Sequence, residues 1–126
     1  MLQDAPLCAY IPARDMARAR KFYEERMGLK ETQQTNGGVV YAFGKGTAAF
    51  LYPTPNVGTS QASQAFWSVA DVDCEIEALK ARGVVFEDYD MPGERSPAGA
   101  ITAGGAKAAW FKDSEGNIMA LIQDLS

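Results

Sequence analysis

Two stretches of the sequence repeat one pattern: LCAYIPARDMARARKFYEERMG at residues 7–28 and SQAFWSVADVDCEIEALKARG at residues 63–83. In each, a short apolar run leads into an aspartate, Asp15 or Asp71, and a helical pattern then ends at a glycine. A repeat offset of 56 positions is longer than one supersecondary unit and shorter than an independent domain. The sequence therefore predicts two similar modules in one fold, and two such modules can enclose a cleft between them.

The composition is that of a single domain with no sign of nucleic-acid or membrane binding. The chain has 126 residues, of which 47% are hydrophobic, so it can bury a real core. Its formal charge is −4, and its basic residues are scattered among acids instead of forming a stripe. No segment approaches the roughly 18 apolar residues of a membrane span, and the first residues lack a signal region. We therefore expect a cytoplasmic protein that binds neither nucleic acid nor membrane.

The most restrictive feature of the composition is that the sequence contains no histidine. Histidine is the usual general base near neutral pH and the commonest metal ligand in proteins. Its absence excludes Ser–His and Cys–His nucleophile pairs, the iron site of two histidines and one carboxylate, and histidine-based zinc sites. The two cysteines, Cys8 and Cys74, lie far apart and fit no CxxC motif, so a structural disulfide is not expected.

The first repeat predicts a strand, a helix and then antiparallel strands. Apolar residues recur at helical spacing from Met16 to Met27, and Asp15 can cap this helix by accepting hydrogen bonds from its first amides. Glycine-rich turns at 36–38 and 44–46 separate the strands that follow. The expected elements are a strand at 7–11, a helix at 16–27, the start of a strand at 29–32, and strands at 39–43 and 47–52.

The second repeat predicts the same order of elements. Asp71 is again a capping residue, and the segment 113–116 is a turn that joins the last two strands. The long stretch 88–105 is rich in Gly, Pro and Ala, and it is either a charged lid over the cleft or a solvated surface loop. The expected elements are strands at 65–69 and 84–87, a helix at 72–82, and a hairpin of 106–112 with 117–123.

The order strand, helix and three strands, present twice, predicts an α+β fold with helices on one side of an antiparallel-rich sheet. The linker composition of PTPNVGTSQ marks the boundary between the modules. We expect a single domain over residues 1–126. Its parts are module 1 at about 5–53, a linker at about 54–62 and module 2 at about 63–124.

The sequence resembles the vicinal oxygen chelate superfamily, which includes glyoxalase I, extradiol dioxygenases and bleomycin-resistance proteins. The opening IPARDMARARKFYEERMGL is similar to the family's strand–Asp–helix–Phe-Tyr–Gly opening, and the close AWFKDSEGNIMALIQ is similar to its Asp-x-x-Gly-Asn hairpin and final strand. The resemblance covers nearly the whole chain. It implies two tandem βαβββ modules that form a curved antiparallel-rich sheet around a small-molecule cleft, often in a homodimer. It does not imply one activity, because the superfamily supports many chemistries and some pure binders.

The resemblance also implies where metal ligands would lie. In the family's metalloenzymes, one ligand lies seven residues before the capping Asp of each module and another four residues after the hairpin Gly. These positions hold Cys8, Gln64, Ala120, and Phe50 or Tyr52. A neutral amide, a thiol that binds only as thiolate, an alanine and an aromatic ring do not make a catalytic metal site. We therefore expect no metal and no cofactor, and we interpret Cys8 as a small buried hydrophobe.

Strand alternation extends these positions to a set of side chains that share their face of the sheet. Such a cleft would be aromatic and weakly polar, as small-molecule sites generally are, although each aromatic residue could instead be core. The predicted cleft residues are Cys8, Tyr10, Phe50, Tyr52, Gln64, Phe66, Trp110 and Ala120.

Three functions remain open on this pattern. The first is a metal-free small-molecule-binding protein that holds a partly aromatic or planar compound. The second is a lyase, isomerase or dioxygenase-like enzyme that uses unconventional ligands, or Glu or Tyr for proton transfer. The third is a protein-interaction module whose cleft is vestigial.

Overall fold

The first module folds as a four-stranded sheet with one helix. The structure is a computed structural model that describes residues 1–126. The sheet has the order β1-β4-β3-β2, in which β1 is parallel to β4 and the other neighbours are antiparallel. The elements are β1 (Ala9–Ala13), α1 (Met16–Lys21), β2 (Gln33–Thr35), β3 (Gly38–Ala42) and β4 (Ala48–Pro53), with short 3₁₀ turns at Leu2–Asp4 and Gly44–Gly46.

The second module repeats this topology in a five-stranded sheet. The order is β5-β9-β8-β7-β6, and β5 is parallel to β9 as β1 is to β4. The two-module α+β prediction is therefore confirmed. Neither helix is long and apolar enough to cross a membrane. The elements are β5 (Ala65–Ser68), α2 (Val72–Ala81), β6 (Glu94–Arg95), β7 (Ile101–Ala103), β8 (Ala106–Lys112) and β9 (Ile118–Asp124).

Both helices begin at the predicted aspartates. The Arg18 amide donates to Asp15 Oδ1 over 3.0 Å, and the Cys74 amide donates to Asp71 Oδ1 over 3.2 Å. Each carboxylate accepts a hydrogen bond from an amide that has no partner inside its helix. Its negative charge also interacts favourably with the positive end of the helix dipole. The repeated Asp therefore has the same structural role in both modules.

The first helix does not continue regularly to residue 27 as expected. After Lys21 it becomes a π-helical turn, Phe22–Arg26. Two adjacent aromatic side chains, Phe22 and Tyr23, are both buried there. Ala19, Phe22 and Tyr23 keep the i, i+3, i+4 spacing of one helical face, so the predicted apolar face is buried although the turn is wider.

Two expectations for the second module are wrong. Residues 84–87 form no strand and contribute only an isolated bridge between Phe86 and Phe111. The missing strands, β6 and β7, lie inside the stretch that was expected to be irregular. This stretch packs against α2, because Ala98 and Ala100 are buried and Lys80 Nζ donates to the Ala98 carbonyl over 2.9 Å. The stretch gives no alternation signal because only Ala98, Ala100 and Ile101 are buried in it, and two of these three are small.

One core joins the two modules through the odd-numbered faces of both sheets. Phe43 follows the third strand of the first sheet and Trp67 lies on the edge strand of the second, yet their ring centroids are 5.7 Å apart. Such a contact requires the two sheets to face each other. In the π-helical turn after α1, the ring centroid of Phe22 also lies 6.3 Å from that of Phe111 in the second sheet. Because side chains alternate along a strand, the even-numbered faces must point outward, away from each other.

The turn between β8 and β9 docks on the first module. Asp113 Oδ2 accepts a hydrogen bond from the Tyr23 hydroxyl over 2.6 Å, and Asn117 Nδ2 donates to the Pro12 carbonyl over 2.9 Å. Glu115 Oε2 accepts a hydrogen bond from Arg18 Nε over 2.7 Å. We call Asp113, Glu115 and Asn117 the inter-module clamp, because their side chains fix the packing of the second module on the first.

Candidate functional site

The outward face of the first sheet carries an exposed aromatic cluster. Tyr10 on β1 lies in register with Phe50 on β4, and Tyr52 lies two residues further along β4. Tyr10 meets Phe50 and Tyr52 edge-on at centroid distances of 5.8 and 5.0 Å, whereas the rings of Phe50 and Tyr52 are parallel within 1° and 6.4 Å apart. Tyr10 is 65% exposed although it belongs to a sheet with a full core on its other side. We call these three residues the first aromatic face.

The outward face of the second sheet has the corresponding arrangement. Phe66 on β5 and Trp110 on β8 both lie in register with Ala120 on β9, which separates them. Phe66 is 58% exposed, while Ala120 is only 1% exposed because larger neighbours flank it. A shallow hollow of about 300 Å³ opens beside Trp110 and is lined in part by Tyr89. We call Phe66, Trp110 and Ala120 the second aromatic face.

Gln64 links the edges of the two sheets. It lies just before β5, and its Nε2 donates to the Tyr10 carbonyl over 2.5 Å. The clamp residue Asn117 binds the Pro12 carbonyl in the same way, so two amide side chains of module 2 satisfy the free edge of β1. Gln64 therefore lies beside the first aromatic face and also contributes to the contact between the modules.

The structure places six of the eight predicted cleft residues in two groups, while Cys8 and Gln64 lie just before β1 and β5. Tyr10, Phe50 and Tyr52 lie together on the first sheet, and Phe66, Trp110 and Ala120 lie together on the second. The groove of about 540 Å³ between the modules is lined mainly by odd-numbered residues, and among the predicted residues only Phe66 reaches it. That all eight line one cleft stays a prediction.

Cys8 is not the buried hydrophobe expected. The residue is exposed, as is Cys74, and both thiols are free. Cys8 precedes the first residue of β1, so no strand neighbour covers it. The negative charge of Asp71 raises the pKa of the Cys74 thiol, which disfavours the reactive thiolate there.

The residues at the metal positions do not fit a metal ion. Gln64 uses its amide nitrogen on Tyr10, Ala120 has no donor atom, and Cys8 is a lone thiol outside the strand. No three Cys, Asp or Glu side chains in the chain converge closely enough to ligate an ion. A catalytic zinc or iron site needs about three good protein ligands, and this donor set does not supply them.

The inter-module clamp contains a buried carboxylate that the sequence analysis missed. The side chain of Glu115 is fully buried and accepts hydrogen bonds from Arg18 Nε and Nη2, at 2.7 and 3.0 Å, and from the amides of Arg14 and Asp15. The hydrogen bonds from Arg18 are the largest cause that lowers the pKa of Glu115 to about 2. Arg18 and Glu115 are 97 residues apart, so no local pattern could have paired them.

A second polar cluster lies within the first module. The Tyr41 hydroxyl donates to Glu24 Oε2 over 2.8 Å, and Arg20 Nε donates to the same oxygen over 2.7 Å. The hydrogen bond from Arg20 lowers the pKa of Glu24, and burial raises the pKa of Tyr41. Both shifts move the pKa of the group further from neutral pH. A general acid or base works best when its pKa is near the working pH, so this pair is unsuited to proton transfer.

The comparisons with known proteins agree with the topology. A family model described as Glyoxalase/Bleomycin resistance protein/Dioxygenase superfamily matches residues 6–121. No curated protein matches the sequence.

Solved structures share the fold at low sequence identity. The antibiotic binding protein TnmS3 from Streptomyces sp. CB03234 is 22% identical, with 98% of each chain covered and a TM-score of 0.73. A glyoxalase/bleomycin resistance protein/dioxygenase from Alicyclobacillus acidocaldarius is 17% identical, with 98% of this chain and 93% of that chain covered and a TM-score of 0.73. A glyoxalase/dioxygenase from Nostoc punctiforme is 12% identical, with 98% and 92% covered and a TM-score of 0.68.

Proposed function

Because the chain belongs to the Glyoxalase/Bleomycin resistance protein/Dioxygenase superfamily, we propose that it binds a small molecule and does so without a catalytic metal. The observation that carries this proposal is the first aromatic face, where Tyr10 is 65% exposed on top of two further rings. Large aromatic side chains that the core does not need are typical of binding surfaces. The poor metal ligands at the family's metal positions support binding without a catalytic metal.

The ligand that suits this surface is planar and at least partly aromatic. An aromatic ring that stacks on another ring, or meets its edge, is stabilised by about 0.5–1.5 kcal/mol beyond the free energy of burying its area. The hydroxyls of Tyr10 and Tyr52 can orient polar groups of the ligand. The structural relative TnmS3, which is described as an antibiotic binding protein, is consistent with a small-molecule ligand. The net charge of −4 gives a modest preference for a cation.

A second copy of the chain would complete the binding cleft. One aromatic face is a single wall, and small-molecule sites are normally concave and bury most of the ligand. Within one chain the two aromatic faces point outward in opposite directions, so they do not enclose a ligand together. A homodimer in which the first face of one copy meets the second face of the other supplies two walls for each of two clefts. All eight predicted residues would then lie around one cleft.

The enzyme alternative has less support. A lyase, isomerase or dioxygenase-like reaction without a metal needs an acid or base whose pKa lies near neutrality. The shifted carboxylates of Glu24 and Glu115 have lowered pKa values, and the buried tyrosines, Tyr23 and Tyr41, have raised ones. A cytoplasmic location stays a prediction from the sequence.

A thermal-shift measurement tests ligand binding. We expect proflavine, 1-naphthol or 1-naphthoate, which are a planar cation, neutral compound and anion, to raise the melting temperature by about 5 °C at saturating concentration. Replacing Tyr10 with alanine should weaken that binding by about tenfold, because an exposed aromatic anchor is lost. The melting temperature of the free variant should change little, since Tyr10 is mostly exposed.

Val85→Ala is the matched control, because it removes an apolar side chain that is 77% exposed and lies outside both aromatic faces. It should leave the affinity unchanged. Unchanged affinity in Tyr10→Ala, or no shift with any of the planar compounds, would exclude the first aromatic face as the site. Equal loss of affinity in both variants would point to nonspecific adsorption instead.

A further inference from the structure

The groove between the modules is separate from the first aromatic face and shares only Phe66 with the second. It has a volume of about 540 Å³, within the range of small-molecule pockets, and opens where β1, β4 and β5 begin. We call it the inter-module groove. Its lining is mostly apolar and comes from the odd-numbered side of both sheets. Six of its lining residues determine its shape and charge: Ala9, Phe43, Lys45, Ala49, Ala65 and Trp67.

The groove exists because small side chains stand where the facing sheets could hold large ones. Ala9 and Ala49 lie in register on neighbouring strands of the first sheet, and Ala65 lies on the second. Phe43 and Trp67 form an aromatic wall, with their rings perpendicular and 5.7 Å apart. Such a wall offers both ring edges and ring faces to an apolar group.

One charged residue lines this apolar groove, and it is a lysine. Lys45 forms no ion pair, and no acidic residue lines the groove, although the protein as a whole is acidic. An unpaired cation beside an apolar surface is complementary to a ligand that has an apolar body and one negative group.

The backbone at Lys45 gives independent support. Lys45 is the one non-glycine residue in the chain with positive φ, at 59°, and it lies between Gly44 and Gly46. A left-handed conformation costs a residue with a side chain about 1 kcal/mol, which Gly or Asn would largely avoid. A lysine held in this conformation at the mouth of a groove is a reason to look for a function of its ammonium group.

We propose that the inter-module groove is a second binding site, which takes a monocarboxylate with an apolar body. The apolar body lies against Phe43 and Trp67, and the carboxylate pairs with the Lys45 ammonium at the mouth. The alanine floor leaves room for a phenyl ring or a short alkyl chain. This site does not depend on a homodimer or on the first aromatic face, and it shares only Phe66 with the second.

The two tryptophans of the chain allow the two sites to be observed separately. Trp67 lines the inter-module groove, and Trp110 belongs to the second aromatic face. In a proton–nitrogen correlation spectrum, their two indole N–H signals can be assigned with the Trp67→Phe and Trp110→Phe variants. Titration with 4-phenylbutyrate should shift the Trp67 signal in a saturable manner and leave the Trp110 signal in place.

Charge selectivity is the decisive part of the experiment. The neutral amide 4-phenylbutyramide and the cation 4-phenylbutylamine have the same body, and each should bind at least about fivefold more weakly than the carboxylate. Lys45→Met should reduce the affinity for 4-phenylbutyrate to that of the amide while the amide is unaffected. Lys30→Met, which removes an exposed lysine outside the groove, should change neither affinity.

Several outcomes would overturn the proposal. They are equal affinity for the three probes, an unchanged affinity for the carboxylate in Lys45→Met, and a shift of Trp110 instead of Trp67. The absence of any saturable shift at millimolar concentration would overturn it as well. None of these results would bear on the planar ligands of the aromatic faces, whose binding is read from Trp110 and Tyr10→Ala.

Discussion

Asp113→Ala should lower the free energy of unfolding by about 4 kcal/mol, one of the largest effects expected for a single substitution in this chain. The carboxylate of Asp113 is buried and accepts four hydrogen bonds, from the Tyr23 hydroxyl, the amides of Glu115 and Asn117, and Asn117 Nδ2. Alanine would leave the Tyr23 hydroxyl and two backbone amides without acceptors. Each unpaired buried donor costs about 1–3 kcal/mol, and the losses within one network are not additive.

Urea unfolding followed by circular dichroism measures this loss. Asp113→Asn is a milder companion in case the alanine variant does not fold, because it keeps one acceptor oxygen and should lose about half as much stability. Asp88→Ala is the control, since its side chain is 87% exposed and its ion pair with Arg95 contributes little. If Asp113→Ala and Asp88→Ala are equally stable, the clamp does not hold the modules together.

Glu115→Gln should remove about 2–3 kcal/mol of stability at neutral pH, and this loss should shrink in acid. The folded protein holds the pKa of Glu115 at about 2, against an ordinary value of 4.5. A carboxyl whose pKa is lowered by folding stabilises the native state fully above its unfolded pKa. That contribution is lost as the pH falls from about 4.5 towards 2. Arg18 is 53% exposed, so water screens its ion pair with Glu115. The loss of stability is therefore smaller than the full pKa shift alone would give.

The measurement is the difference in unfolding free energy between the parent protein and Glu115→Gln at several pH values between 2 and 7. Other carboxylates titrate in both proteins, so their effects cancel in the difference. The difference should narrow by about 2 kcal/mol on acidification. Glu77→Gln, at an exposed position of α2, is the control and should change the unfolding free energy only a little. A pH-independent difference for Glu115→Gln would mean that the carboxylate is not held in its charged form.

Local patterns in the sequence were sufficient to predict the modules. The capping aspartates, Asp15 and Asp71, are read from a few neighbouring residues, and both act as predicted. Strand alternation also predicted that Phe50 and Tyr52 share a face, and their rings are parallel and 6.4 Å apart. Only the family's ligand positions linked Tyr10 to them, and its ring contacts both. These signals depend on backbone geometry within a few residues, where the period of the element dictates the direction of the side chains.

The relative placement of the modules could not be predicted in this way. Alternation separates the two faces of a strand but does not say which face meets the other module. That choice depends on contacts such as Phe43 with Trp67 and Arg18 with Glu115, which join residues far apart in the sequence. The strand at 84–87 was overpredicted because three apolar residues in a row resemble a strand. Only an isolated bridge forms there, between Phe86 and Phe111, and the Glu87 amide donates to the Trp110 carbonyl over 2.7 Å.

We expect the first aromatic face of one copy and the second aromatic face of another to form one ligand cleft. Co-expression of two differently tagged variants, Tyr10→Ala and Phe66→Ala, tests it directly. In a mixed dimer one cleft would have both substitutions and the other neither. With random pairing, about half of the dimers are mixed, so about one quarter of all clefts should bind the planar ligand with the affinity of the parent protein. Calorimetric titration that shows this fraction of tight sites, absent from either variant alone, is the predicted result. Binding by the co-expressed mixture that is no tighter than that of the separate variants would contradict the account.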